Sequence, residues 1–191
     1  MNSELIRKDF PILETKVKGH PVVYFDNGAT TQRPLPVMRA VMDYVTRNNG
    51  NPHRGAHIFA MSASEAYDTS KTVVKDFIGA KSEKEIIYTR NTSESLNLVA
   101  RSYGETHLKE GDRILIPVSE HHSNLVPWQR AAKKTGAVLE YMYVDKETGH
   151  FPEEELKKID DPRVKILAFA QVSNVPVSYT HLRAHETDQY L

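Results

Sequence analysis

Between Glu85 and Ala170 short β-forming runs alternate with helical segments, and that alternation allows few architectures. Strands are expected near 85–89, 113–117, 137–144 and 164–170. They rest on runs such as Ile86-Ile87-Tyr88, Arg113-Ile114-Leu115-Ile116-Pro117 and Val164-Lys165-Ile166-Leu167-Ala168-Phe169-Ala170. Helices are expected after Thr92, from Leu125 to Lys134 with Gly136 as the stop, and from Pro152 to Ile159. This order predicts an α/β fold: a mainly parallel sheet with helices on both faces and right-handed crossovers. Ligands of such sheets bind beyond the carboxyl ends of the strands. The polar loops at 91–93, 120–124 and 173–174 fall at that end, so they are expected to converge.

The first eighty residues follow another pattern. A short surface helix over 3–9 is ended by Phe10-Pro11. Val22-Val23-Tyr24-Phe25 reads as a strand, and Asp26-Asn27-Gly28 turns out of it into small and polar residues. Pro34 and Pro36 introduce a helix with Val37, Ala40, Val41, Tyr44 and Val45 on one face, broken by Asn48-Asn49-Gly50-Asn51-Pro52. A longer helix runs from about Phe59 to Ile78 and ends at Gly79. Its expected inner face is Phe59, Ala63, Ala66, Val73, Val74 and Phe77.

Composition excludes several functional classes. With 39% hydrophobic and 26% charged residues in 191, the chain is ordinary globular material with room for a core. Its formal net charge is zero, so nothing suggests nucleic acid as a partner. No apolar run approaches the ~20 residues of a membrane helix, and the N-terminus lacks the apolar core of a signal peptide. There are no cysteines, which excludes disulfides and zinc–thiolate sites and fits a cytoplasmic protein.

Two groups of residues can carry chemistry. Thr92 as N-cap and Ser93 behind it place hydroxyls among the orphan N–H groups of a helix start, which suits a phosphate. The same residues can simply cap a helix. His121-His122 lie at the end of the 113–117 strand, and His53 and His57 stand four apart. If the two groups met, a metal site would be conceivable, as in a metallohydrolase, but only Glu120 offers a carboxylate at suitable spacing. The other possibility is a phosphorylated aromatic cofactor. Its phosphate would sit at the 92–95 helix start, with an imidazole from 121–122 stacking or moving protons and the Asn174 amide adding direction.

Five collinear motifs make that second possibility specific. Tyr24-Phe25-Asp26-Asn27-Gly28-Ala29-Thr30-Thr31-Gln32-Arg33-Pro34 is similar to the D-x-A-A-T-x-x-x-P signature of cysteine desulfurases. Asn51-Pro52-His53-Arg54-Gly55-Ala56-His57 resembles their N-x-H-R-G-x-H loop. Thr89-Arg90-Asn91-Thr92-Ser93-Glu94-Ser95-Leu96-Asn97-Leu98-Val99 resembles their phosphate loop, T-R-G-T-T-x-x-[IL]-N-L-V. Ser119-Glu120-His121-His122-Ser123-Asn124-Leu125-Val126-Pro127-Trp128-Gln129 is similar to M-E-H-H-[AS]-N-[IL]-[VI]-P-W-Q, the form of the SUF-type (group II) branch, shared with selenocysteine lyases. Gln171-Val172-Ser173-Asn174-Val175 resembles H-V-S-N-V. The departures are Gly28 for Ala, Asn91 for Gly, Ser93 for Thr and Gln171 for His.

The resemblance implies the large domain of a pyridoxal-phosphate-dependent transferase of fold type I, in the class V aminotransferase group. Residues 1–50 would form an N-terminal wrap and 51–175 the start of the large domain. It implies pyridoxal 5′-phosphate as cofactor, held by Thr92 and Ser93, with His121 stacked on its ring as the catalytic residue and Asn174 in contact with cofactor or substrate. Ala29, Thr30, His53, Arg54 and Asn174 would border the substrate, and no metal is implied. The implied reaction converts L-cysteine to L-alanine and leaves a persulfide on an enzyme cysteine. A homodimer would pass that sulfur to an acceptor protein of the SUF system for iron–sulfur cluster assembly. Selenocysteine lyase is the alternative within the family, and a non-catalytic domain binding a phosphorylated ligand is the alternative outside it.

The last residues fit none of this. Val177-Ser178-Tyr179-Thr180-His181-Leu182-Arg183-Ala184-His185-Glu186-Thr187 is similar, codon by codon, to an in-frame translation of a transposon-end sequencing adapter. Residues 176–191 are therefore excluded from fold reasoning. A protein cut short after its 164–170 strand is expected, inactive as a fragment. It would lack the Asp on the pyridine nitrogen, the cofactor-linking Lys and the persulfide Cys.

Overall fold

A computed structural model describes residues 3–171. The chain divides into two compact units, Met1–Ile87 and Tyr88–Leu191, each described by itself.

In the first unit α1 (Ser3–Arg7) leads into a hairpin of β1 (Lys16–Val17) and β2 (His20–Pro21). Lys18 and Gly19 both have positive φ, 51° and 84°, as a two-residue type I′ turn requires. The expected strand at 22–25 is not one. These β-forming residues are irregular, and the short ladder forms just upstream, where the Lys18-Gly19 turn brings two segments together. Tyr24 Oη instead donates to the carbonyls of Asp26 and Thr30, closing the loop that follows. Next come α2 (Leu35–Asp43), extended by a wider turn to Asn48, and α3 (Ile58–Ile78). Gly79 stops α3 with φ 70°, a left-handed cap that costs glycine little.

The inner face expected of α3 is only partly covered. Ala60 and Ala63 are buried, but Phe59, Val73 and Phe77 are exposed, Phe77 to 90%. Helical period says which residues share a face, not what covers them. Within this unit the loop before α3 presses on its first turn, where a Cβ at Gly50 would collide with the Phe59 carbonyl.

In the second unit α4 (Thr92–Val99) runs through a wide turn, Ala100–Gly104, into α5 (Glu105–His107). Then follow β3 (Arg113–Pro117), α6 (Val126–Thr135), β4 (Val138–Met142), α7 (Glu153–Leu156) and β5 (Val164–Leu167). The three strands form a parallel sheet in the order β4-β3-β5. Arg113 pairs with Val138 and Val164, and a bulge between Arg113 and Ile114 shifts the β5 register. Ile114, Leu115 and Ile116 are fully buried, which explains an unbroken apolar run rather than an alternating one. Ile114 and Ile116 face a core of Ala100, Leu108, Trp128, Ala131, Ala132, Ala137 and Ala168. At the opposite end of the strands the Arg113 guanidinium reaches Glu140 at 2.6 Å and Asp161 at 3.4 Å.

The strand expected at 85–89 is absent from this sheet. Glu83–Glu85 make a 3-10 turn, and 86–89 join no ladder among the described residues. Ile86, Ile87 and Tyr88 have strand propensity, but propensity alone makes no strand without a neighbour to pair with, and no described strand pairs with them.

Candidate functional site

The start of α4 is built by its neighbours. Asn91, not Thr92 as expected, is the N-cap: its Oδ1 accepts from the Glu94 N–H at 2.9 Å. The Thr89 hydroxyl lies 2.6 Å from that of Ser95 and donates to the Asn91 carbonyl, which fixes the approach to the helix. Glu94 folds back so that one carboxylate oxygen accepts from the Arg90 N–H at 2.7 Å, while both oxygens meet the Arg90 guanidinium at 3.2 Å. This is a variant of the capping box, legible as Asn91-x-x-Glu94 once the cap is placed correctly. What remains is significant. The backbone N–H groups of Thr92 and Ser93 and both hydroxyls have no acceptor among the described residues, and both residues are exposed. Four donors at the positive end of a helix dipole suit an anion, and a phosphate most of all.

The Arg90 side chain, then its backbone N–H, holds the Glu94 carboxyl below its ordinary value. A depressed carboxyl stabilises the fold fully above its unfolded value, and that contribution is lost as pH falls through the folded one. Acidification through the carboxylate range is therefore expected to deprotect the Arg90 amide while Ile114 to Ile116 in β3 stay protected. Hydrogen exchange corrected for intrinsic rate measures this, and constant Arg90 protection across the range contradicts it.

His121 caps a 3-10 turn, His122–Asn124, that follows β3. Its Nδ1 accepts from the Ser123 N–H at 3.1 Å and lies 2.9 Å from the Ser123 hydroxyl. A ring nitrogen that accepts a backbone N–H carries no proton, so the neutral ring has its proton on Nε2. The ring is exposed and its orientation is fixed by these contacts. The 3-10 turn packs against α4, so the loops bearing Thr92, Ser93 and His121 stand on neighbouring elements of one unit. Asn174 lies outside the described residues.

The remaining site residues belong to the first unit. Ala29 and Thr30 lie in a turn in which both backbone N–H groups donate to the Asp26 carbonyl. A Cβ at Gly28 would meet nothing within 4 Å, so that departure from the motif carries no steric consequence within this structure. His53 sits at φ 60°, unusual for a residue with a side chain. Its N–H donates to the Ser64 hydroxyl at 2.8 Å, its ring meets Tyr67 edge-on, and Nε2 lies 3.5 Å from Asp68. Arg54 is exposed beside it. Sequence reasoning missed Ser64 and Asp68, which hold the His53 loop from α3 and leave no local pattern. Among the described residues no group of three or more His, Cys, Asp or Glu is placed to hold a metal ion, and no helix is long and apolar enough to cross a membrane.

Residues 23–176 match the family described as aminotransferase class-V. The chain belongs to that family. It is 46% identical over 169 residues to a probable cysteine desulfurase of Synechocystis sp., covering 88% of this chain and 40% of that protein. It is 45% identical over 175 residues to another from Halalkalibacterium halodurans, covering 92% and 43%. Among solved structures it resembles the apo cysteine desulfurase of Thermococcus onnurineus NA1, with a TM-score of 0.80 and 42% identity over 91% of this chain and 41% of that one. The cysteine desulfurase CsdA of Escherichia coli aligns with a TM-score of 0.73 and 31% identity, covering 95% of this chain and 44% of that one. The chain thus spans about two fifths of the length of these relatives. Class-V membership agrees with the α/β fold and parallel sheet expected from the sequence.

Proposed function

We propose that this sequence is the N-terminal part of a pyridoxal-5′-phosphate-dependent cysteine desulfurase, converting L-cysteine to L-alanine and an enzyme persulfide. The observation that carries the proposal is the start of α4, where two N–H groups and two hydroxyls stand without acceptors among the described residues. Family membership and the names of the relatives support it. In this reading residues 1–50 are the N-terminal wrap and 51–175 the start of the large domain.

Thr92 and Ser93 would take the cofactor phosphate. The exposed face of His121 would lie on the pyridine ring, with its Nε2–H turned to the reacting side as the atom that gives or takes a proton. Asn174 would fix cofactor or substrate through its amide. Ala29, Thr30, His53 and Arg54 would border the substrate, with Ser64 and Tyr67 keeping His53 in its left-handed turn. Bound there, the cofactor supplies the electron sink for chemistry at the cysteine Cα. The whole protein would be a cytoplasmic homodimer delivering sulfur to a SUF-type acceptor for iron–sulfur cluster assembly.

Two proteins test this. The 191-residue chain contains no cysteine, so it is expected to form no protein persulfide from L-cysteine and pyridoxal 5′-phosphate. The full-length product of the parent reading frame is expected to release alanine and, with a thiol acceptor, sulfide. Turnover of selenocysteine alone would establish the lyase instead, and a full-length protein inert toward both amino acids would overturn the assignment.

A further inference from the structure

Glu120 closes the segment leaving β3, and both its carboxylate oxygens are engaged. Oε1 accepts from the Ala170 N–H at 2.7 Å, just beyond β5. Oε2 accepts from Asn124 Nδ2 at 2.8 Å, and Asn124 Oδ1 in turn accepts from Trp128 Nε1 at 3.0 Å. Asn124 and Trp128 are buried, 9% and 4% exposed. An indole N–H only donates, so the Asn124 amide has a single orientation, with its NH2 group turned to Glu120. The residue at 120 must therefore accept twice. A carboxylate does so. A carboxamide has one accepting oxygen; turned to the buried Asn124 NH2, it sets its own NH2 against the Ala170 N–H and leaves that amide without its acceptor.

We propose that Glu120 is a positioning residue: it ties the chain leaving β5 to the loop that carries His121, so the two keep one geometry. The proposal rests on the reading of His121 as the group that stacks on the cofactor ring. Its consequence is that the stacking ring and the chain leaving β5 at Ala170 cannot shift independently. The Ala170 contact is not visible to a local pattern, because its partners stand fifty residues apart.

The logic of donors and acceptors supplies its own rescue. Glu120→Gln breaks the relay, but Trp128→Phe removes the donor that fixed Asn124. In the double variant Asn124 can turn its oxygen to the NH2 group of the introduced carboxamide, whose own oxygen is then left for the Ala170 N–H. The 191-residue chain and the three variants are compared by amide exchange at Ala170 and by titration with pyridoxine 5′-phosphate. This probe has the ring and phosphate of the cofactor but no aldehyde to react with surface lysines. E120Q is expected to lower Ala170 protection about tenfold and to weaken probe binding several-fold. W128F alone is expected to change both little, and E120Q/W128F to recover both toward the W128F level.

Unchanged Ala170 protection in E120Q, or a loss that W128F does not repair, overturns the clasp. If E120Q fails to fold, a folded double variant with Ala170 protected supports the proposal, and an unfolded one overturns it. If protection follows the expected pattern while probe binding never changes, the positioning role is wrong. Failure of the parent chain to bind the probe refutes the cofactor reading, and with it the positioning role, whatever Ala170 shows.

Discussion

Trp128→Ala is expected to remove most of the stability of the second unit. The indole is 4% exposed and belongs to the core beneath β3, with Ala100, Leu108, Ile114, Ile116 and Ala131. Emptying such a site costs about 3–5 kcal/mol, because the surrounding side chains relax only in part. The truncation also removes the donor to Asn124 Oδ1, and an orphaned buried acceptor adds roughly 1–3 kcal/mol. Whole domains are stable by only about 5–15 kcal/mol, so the variant is expected to sit near its unfolding transition in plain buffer. Trp128→Phe keeps the ring and is expected to lose less than half as much. Urea denaturation followed by far-ultraviolet circular dichroism checks both. A Trp128→Ala midpoint equal to that of the parent chain would mean that the helix–sheet core is not what stabilises this unit.

The parts of the fold that could be read from the sequence are those decided locally. The runs at 113–117, 137–144 and 164–170 became β3, β4 and β5 because each is a short β-forming segment bounded by turn or helix-stop residues. Gly79 and Gly136 stopped α3 and α6 through left-handed backbone that glycine adopts readily. What failed depended on partners. The segments at 22–25 and 85–89 have strand propensity but join no ladder among the described residues. The stripe on α3 has the right period, yet Val73 and Phe77 face solvent in this structure. The site divides in the same way. The hydroxyls of Thr92 and Ser93 were legible from a helix start after a turn. The cap itself was misplaced by one residue, because Asn91 and Thr92 are both good caps and only geometry separates them. Glu120 looked like a possible metal ligand in sequence. Its partner at Ala170 comes from the far end of a crossover, and no local pattern encodes that contact.

Loss of the two hydroxyls at the start of α4 is expected to weaken phosphate binding by a large factor. Each would donate to a dianionic group, and a hydrogen bond to a charged partner contributes about 1.5–3 kcal/mol. The Thr92→Ala/Ser93→Ala double variant keeps the backbone N–H groups, the Asn91 cap and the helix dipole. It is therefore expected to retain some affinity and to lose roughly a hundredfold or more in Kd. Ser102→Ala, whose hydroxyl bonds the Leu98 carbonyl further along the same helical run, is expected to bind as the parent does. The decisive measurement is a titration of the parent chain and the double variant with pyridoxine 5′-phosphate, followed by phosphorus NMR, with phosphate-free pyridoxine as the control. The account predicts saturable binding by the parent with a shifted phosphorus resonance, loss of that shift in the double variant, and weak binding of pyridoxine by both. Equal affinity of parent and double variant for the phosphorylated probe would contradict it.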